Sequence, residues 1–315
     1  MAATKLWLAR TGTLQHENRT EFYDKTVDMY VKREEQIPMQ MGQYFSEEQT
    51  DSLTPKIQSY GTALSNPIEY NDVSAMPMDE PASGYPASFE IGTYAKGVII
   101  TDTLVKIDRS GGKVRDLLSG IAPSMKRMLE LAMANVLNTG VSTEGADGSY
   151  LFAQDHYQPD PSVGVWSNLE TGADLATTSL STMRTNLRKR KNEVGAVQPI
   201  RLVKVLVPAD LQKKAEEMAK SEKTPENAMN ASNVFQGFTF DVVDWLTDTN
   251  AWAGWGDLPE GRWGLHLFFL TRPEVGSLDF QGSGRPKIKA GYYGYCQYAC
   301  GASIVENMQW NSGPS

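Results

Sequence analysis

Apolar residues recur at spacings of three and four from Gly112 to Asn138. They are Val114, Leu117, Leu118, Ile121, Met125, Met128, Leu129, Ala132, Val136 and Leu137. Arg115, Ser119, Ala122, Lys126 and Glu130 take the opposite stripe. The pattern predicts an amphipathic helix with one face on a core and the other turned out. At about 1.5 Å per residue the segment runs roughly 40 Å, long for a domain of ordinary size. Gly111-Gly112 precedes it, and Thr139-Gly140 supplies the expected C-terminal glycine. Pro123 interrupts it, because a proline inside a helix removes a hydrogen bond. The segment is therefore one bent rod, or a short helix followed by a longer one.

Before this helix, Phe89, Ile91, Thr93, Ala95 and Ile99 alternate with Glu90, Tyr94, Lys96, Val98 and Ile100, the period of a long strand. A shorter strand is expected at Pro67-Ile68-Glu69-Tyr70. Three prolines and a glycine between Ala75 and Pro86 argue against regular structure there. A hairpin loop of that length is uncommon unless it has a role. Met76, Met78 and Tyr85 are apolar, so the hairpin is expected to reach out and be ordered by another subunit. With Asp79 and Glu80 they form the candidate inter-subunit contact. Upstream, one helix around Phe22, Val27, Tyr30 and Val31 lies in an otherwise polar, irregular arm.

After the long helix comes a glycine-rich turn from Val141 to Gly148, then an irregular polar segment to Asp174. An α/β region follows. A helix capped by Thr177 or Thr178 turns Leu180, Met183, Leu187 and Val194 inward and ends at Gly195. Leu202 to Val207 reads as a buried strand, and Asp210 to Ser221 as a helix with Leu211, Ala215 and Met218 inward. Two further strands, Phe238 to Val243 and Leu265 to Leu270, complete the region. In the tail, both faces of the run from Tyr292 to Cys300 are apolar or aromatic, as in a central strand. Its natural partners are the strand near Phe89–Thr101 and the flanks of the long helix. That arrangement inserts the α/β region into a domain of non-contiguous chain.

Composition narrows the function. The 315-residue chain, 40% hydrophobic and 22% charged, has ordinary globular composition. A formal charge of −8 argues against gripping nucleic acid, which depends on Lys and Arg neutralising phosphates. The N-terminus lacks an apolar signal core, and no run approaches the roughly 20 apolar residues that span a bilayer. Cytosolic synthesis is expected. Cys296 and Cys300, four apart on a strand, sit about 13 Å from one another and cannot form a disulfide. They read as free, buried thiols.

The chemistry-bearing signatures are missing: no phosphate-binding glycine loop, nucleophile elbow, zinc-binding His-Glu-x-x-His or calcium loop occurs. The three histidines, His16, His156 and His266, stand in unrelated contexts. Asp155-His156 has no companion at a recognised spacing and reads as structural. The run Arg188-Lys189-Arg190-Lys191 reads as a solvated helix end, since consecutive helical residues point about 100° apart. No catalytic, cofactor-binding or metal-ligating residue is expected. The picture is of a building block.

The order of arm, hairpin, long helix, inserted α/β region and returning strand resembles the major capsid protein of tailed bacteriophages. This is an α+β fold of the Hong Kong 97 type, and the details are most similar to Mu-like major head subunits. The residues that carry the resemblance begin with Thr93–Thr101 before the long helix and Leu151–His156 after it. Ser167-Asn168-Leu169, Leu206–Leu211, Asn233–Gly237 and Leu246–Trp252 follow in order. The resemblance implies an arm at 1–65, an extended hairpin loop at 66–102 and a peripheral domain at 103–174. An axial domain at 175–280 and a return strand at 281–315 complete the expected division. It also implies a homo-oligomer of pentamers and hexamers enclosing double-stranded DNA without reading its sequence. Such a chain assembles in the host cytoplasm with a separate scaffold or none, ends in the virion, has portal and decoration proteins as candidate partners, and meets no membrane. Some relatives begin with about a hundred residues of charged helical scaffold, and others cross-link a loop lysine to a neighbour's asparagine. Residues 74–88 hold no lysine, so no cross-link is expected. An encapsulin-like compartment is the alternative within the fold. A cytosolic α/β enzyme is the remote one, and a minor tail or decoration subunit a third.

Overall fold

This computed structural model describes residues 39–60, 78, 83–107, 112–159, 161–192, 194–223, 232–257, 264–278 and 288–314. The helix expected at Phe22–Val31 and the strand at Pro67–Tyr70 lie outside them. A 3-10 turn, Gly42–Tyr44, leads into β1 (Ser46–Gln49), β2 (Lys56–Tyr60) and β3 (Ser83–Ser88). Strand β4 (Gly92–Thr101) precedes three helices: α1 (Asp102–Ile107), α2 (Gly112–Ser119) and α3 (Ile121–Asn138). Three short strands follow, β5 (His156–Tyr157), β6 (Val165–Trp166) and β7 (Leu169–Glu170). Next come α4 (Thr177–Arg188), β8 (Arg201–Val207), α5 (Gln212–Lys220), β9 (Thr239–Val242) and β10 (Trp252–Asp257). The chain closes with β11 (Leu265–Leu278), β12 (Ile288–Ala302) and β13 (Met308–Asn311). Among the described residues these make a four-stranded sheet, β1-β11-β12-β4, and a five-stranded sheet, β7-β13-β10-β8-β9. Two ribbons, β2-β3 and β5-β6, stand apart from them. The chain gathers into two compact units.

The first unit contains Ile91–Leu129 and Phe269–Tyr298. In it β12 is central, as its apolar faces suggest, and pairs antiparallel with β4 from Ile288↔Thr101 to Tyr298↔Gly92. The helices lie directly on that strand. A Cβ on Gly294 would stand 2.8 Å from Met125 Cγ and 3.0 Å from Ile121 Cγ2, so only glycine allows the approach. Ile100, Val114, Leu118, Ile121 and Tyr292 form the core between them. The helical run breaks at Gly120, giving the short helix and the longer one. Pro123 then falls in the first turn of α3, where its missing N–H is not needed. The break also shifts the phase of the stripe. Leu117, counted on the apolar face, is exposed.

The second unit contains Gln40–Glu90, Glu130–Phe268 and Ala299–Ser315. Strands β8 and β9 run parallel, while β10 pairs antiparallel with β8 and β13. Leu180, Met183 and Leu187 of α4, Ala215 and Met218 of α5, and Val205, Val207 and Trp252 of the sheet share one core. Strand β10 is a central strand that the sequence did not advertise, because Trp-Ala-Gly-Trp-Gly-Asp shows neither β-branching nor alternation. Its glycines are there for close approach: a Cβ on Gly254 would meet Met183 Sδ at 2.3 Å.

Several expectations are corrected in this unit. The strand expected from Phe89 to Thr101 starts only at Gly92, as β4, and Phe89 lies in the link that follows β3. Phe89 donates its N–H to Pro55 O at 3.0 Å, and its ring packs on Phe268 at 5.2 Å between centroids. The stretch Ser83-Gly84-Tyr85-Pro86, read as irregular, belongs to β3. Pro86 pairs with Gln58 in a two-stranded ribbon, which has an open edge for a residue lacking N–H. Helix α4 ends at Arg188, and Gly195, at φ 78°, serves a separate turn closed by Asn192 N–H donating to Ala196 O at 2.8 Å. Val194 is exposed rather than in the core. Gly140 keeps an ordinary φ; a Cβ there would lie 2.5 Å from Phe152 Cδ2. Glu130, assigned to the solvent face, is buried, and its carboxylate accepts N–H from Gln40 at 2.6 Å and Met41 at 3.0 Å. Met41, Tyr44 and Phe45 are buried beside it, so the end of the arm is seated in this unit.

Candidate assembly surfaces

Ribbon β2-β3 carries the proposed contact loop. Its register runs Lys56↔Ser88, Ile57↔Ala87, Gln58↔Pro86 and Tyr60↔Ser83, with an irregularity between Gln58 and Tyr60. Of the candidate contact residues, Met78 is 82% exposed. Tyr85 is half-buried and donates its hydroxyl to Gln158 O of the same chain at 3.4 Å. Burial, and then the charge of Asp147, raise the Tyr85 phenol above its ordinary range. Met76, Asp79 and Glu80 lie outside the described residues. Gln158 starts the link between β5 and β6, so the root of the loop rests on the β5-β6 ribbon.

That ribbon is tied down by a stacked column. The His156 ring lies on Trp166 with centroids 4.4 Å apart, and Arg190 covers the indole with its guanidinium carbon 4.5 Å from the centroid. His156 Nδ1 meets Asp147 Oδ2 at 2.7 Å, and Nε2 meets Asn168 Oδ1 at 2.9 Å. Asn168 in turn accepts the Ala153 N–H and donates to Leu151 O. This is a saturated structural histidine, as the sequence suggested. Arg190 corrects the reading of its run as a solvated helix end. It is buried and donates to the backbone oxygens of Glu306 and Ser167. Burial lowers its pKa to about 10, against the raising influence of Glu306. Sequence reasoning missed it because its partners lie far along the chain, on segments with no motif.

Two further titratable side chains, His266 and Cys296, are buried. His266 is buried among Phe89 and Phe268, and burial lowers its pKa to about 4. Its Nδ1 lies 3.8 Å from Glu48 Oε1, but a ring that resists protonation makes no ion pair there. Burial pushes the Cys296 thiol up to about 11, a free and inert group. Among the described residues no group of three or more His, Cys, Asp or Glu side chains gathers where a metal could sit. No described helix is long and apolar enough to cross a membrane.

A family model described as phage capsid protein matches residues 85–262, more than half of the chain. The chain belongs to the phage capsid protein family. Three similar solved structures agree in fold. The Cyanophage Pam1 capsid asymmetric unit gives a TM-score of 0.54 at 10% identity, covering 88% of this chain and 92% of that one. Mycobacterium phage Patience gives 0.53 at 10% identity, with 92% and 85% covered. The capsid of a native GTA particle gives 0.52 at 11% identity, with 89% and 92% covered. No curated protein matches the chain. This capsid subunit is thus a structural component of an icosahedral phage head, with the α+β capsid fold, and its place is the virion shell. Its functional surfaces are those that meet sister copies.

Proposed function

We propose that this subunit closes pentamers and hexamers around double-stranded DNA through contacts made by its hairpin loop. In this reading residues 1–65 form the arm and 66–102 the extended loop lying over a neighbour. Residues 103–174 with 281–315 form the peripheral domain built on the long helix, and 175–280 form the axial domain at each capsomer centre. The observation that carries the reading is Met78, 82% exposed in a capsid-family chain. The surrounding residues 61–82 hold no Lys or Arg but carry Glu69, Asp72, Asp79 and Glu80. The same segment holds Leu64, Ile68, Tyr70, Val73 and Met76, and an apolar stretch of that extent, rather than one exposed side chain, favours a partner that covers it. Head-to-tail contacts whose rotation closes into rings supply such a partner from the chain itself. The chain works as a building block rather than an enzyme. Its charge of −8 suits confining DNA without adhering to it. Assembly takes place in the host cytoplasm with a separate scaffold, portal and decoration proteins. Negative-stain imaging of the purified chain tests the proposal, with shells of five- and six-fold capsomers expected. A small discrete oligomer would overturn it. Shells from infected cells with a protein-like ratio of 260 to 280 nm absorbance would instead identify a cargo compartment.

A further inference from the structure

A shelf on the second unit joins exposed apolar side chains to exposed cations. Tyr157 and Val165 face each other across the β5-β6 ribbon, 55% and 58% exposed. Val197, 62% exposed, bridges to Lys191 in the turn after α4, and a Cβ on Gly195 in that turn would lie 3.7 Å from the Val163 side chain. The ribbon and the end of α4 border one open cleft, lined by Val165 and Trp166 on one side and Lys189, Arg190 and Lys191 on the other. Lys189 and Lys191 on that border are exposed, as is Arg188 at the last position of α4. Glu170 is the one carboxylate among the described lining residues, and burial raises its pKa. At the cleft floor Gln309 Oε1 and Glu170 Oε2 are buried acceptors with no donor among the described residues.

We propose that this shelf receives the loop tip, residues 61–82, of a second copy of the chain. The inference rests on the shell-forming reading above and names the surface that its loop meets. The fit is chemical. The tip brings four carboxylates and no cation to a border that carries the exposed Lys189 and Lys191, with Arg188 next to them in sequence. It brings Leu64, Ile68, Tyr70, Val73, Met76 and Met78 to Tyr157, Val165 and Val197. Complementary charge sets register and partner choice, while the apolar contact supplies affinity.

Charge reversal in the full-length chain tests this. Arg188→Glu with Lys189→Glu and Lys191→Glu is expected to cut the yield of shells by about tenfold or more at moderate salt. Asp72→Lys with Asp79→Lys and Glu80→Lys should do the same alone, and the two sets combined in one chain should restore shells. Restoration also shows that the reversed chains still fold. A second arm pairs Met78→Cys with Val197→Cys, oxidised in assembled particles and run without reductant. Inter-chain ladders are expected. Internal disulfides only would mean that the tip docks on its own chain and would overturn the proposal. Reversed shelf variants that assemble fully but package less DNA would overturn it in favour of nucleic-acid contact. Wild-type shells with neither effect would sink this inference while leaving the shell-forming reading intact. Failure of the wild type to form shells would sink that reading itself.

Discussion

At the scale of single residues, Arg190 and His266 show opposite uses of burial. Arg190 brings a cation inside because its planar fork reaches two backbone carbonyls and its face stacks on Trp166. Lysine keeps the charge and loses the fork. Arg190→Lys is therefore expected to cost about 1–3 kcal/mol in urea unfolding of the unassembled chain, and Arg190→Ala more, since it strands both carbonyls. A thermal scan should show the same order, and equal stability of the Arg190→Lys and wild-type chains would refute the role given to the fork. His266 is held neutral. Its folded pKa of about 4 lies below the ordinary 6.5, so the unfolded chain takes up a proton that the folded chain refuses. Stability from this site is complete above pH 6.5 and is lost as pH falls towards 4. The loss amounts to about 3 kcal/mol. His266→Phe should remove that increment, leaving a flatter dependence of urea midpoint on pH between 7 and 4.

At the scale of elements, the sheet edges and helix faces were legible where period and burial agree. Helix α4 has its three inward residues at the spacing the pattern demanded, and β12 is central because both its faces are apolar. Strand β10 was illegible. Its core role depends on glycines that admit neighbours, and closeness to Met183 or Ile200 is not a property of the strand's own sequence. Gly256 sharpens this into a prediction. A Cβ there would stand 2.3 Å from Ile200 Cγ2 and 3.1 Å from Asn307 O, while its N–H donates to that same oxygen at 2.7 Å. Gly256→Ala must push the backbone of the β13 approach as well as a side chain. A loss of about 1–3 kcal/mol is expected, with faster amide exchange along β10 and β13 than along α5. The polar stripe failed for a related reason. Glu130 occupies a solvent-phase position, yet two N–H groups near residue 40 converge on it, a contact 89 and 90 positions distant in sequence. Periodicity reports a helix's own faces and is silent about an arm that returns to one of them. Of the proposed contact, the loop tip can be read as composition, apolar and acidic, while the basic side of the cleft was hidden because Arg190 is buried within the very run that reads as a helix end.

At the scale of the molecule, the question is what holds copies together. A covalent mesh of the kind known in some capsids needs an amine on the loop within reach of a neighbour's carboxamide. Residues 57–95 contain no lysine at all. Lys56 sits at the root of the β2-β3 ribbon, and Lys96 lies within β4 opposite Gly294, fixed in register by the ladder. Neither can travel to a tip that begins beyond Tyr60. The two thiols offer no substitute, being free and set within β12. In the proposed assembly, cohesion between copies rests on apolar cover and charge. Mature particles boiled in detergent without reductant should run as one band at the monomer mass of 34.8 kDa, and a ladder of multiples would refute this. The same argument fixes the salt response. If cations on the shelf and carboxylates on the loop guide the contact, capsomer association should slow as ionic strength rises past the point where the Debye length falls to about 8 Å. Dissociation of finished shells, governed by the buried apolar surface, should change far less, and stopped-flow light scattering over a salt series separates the two.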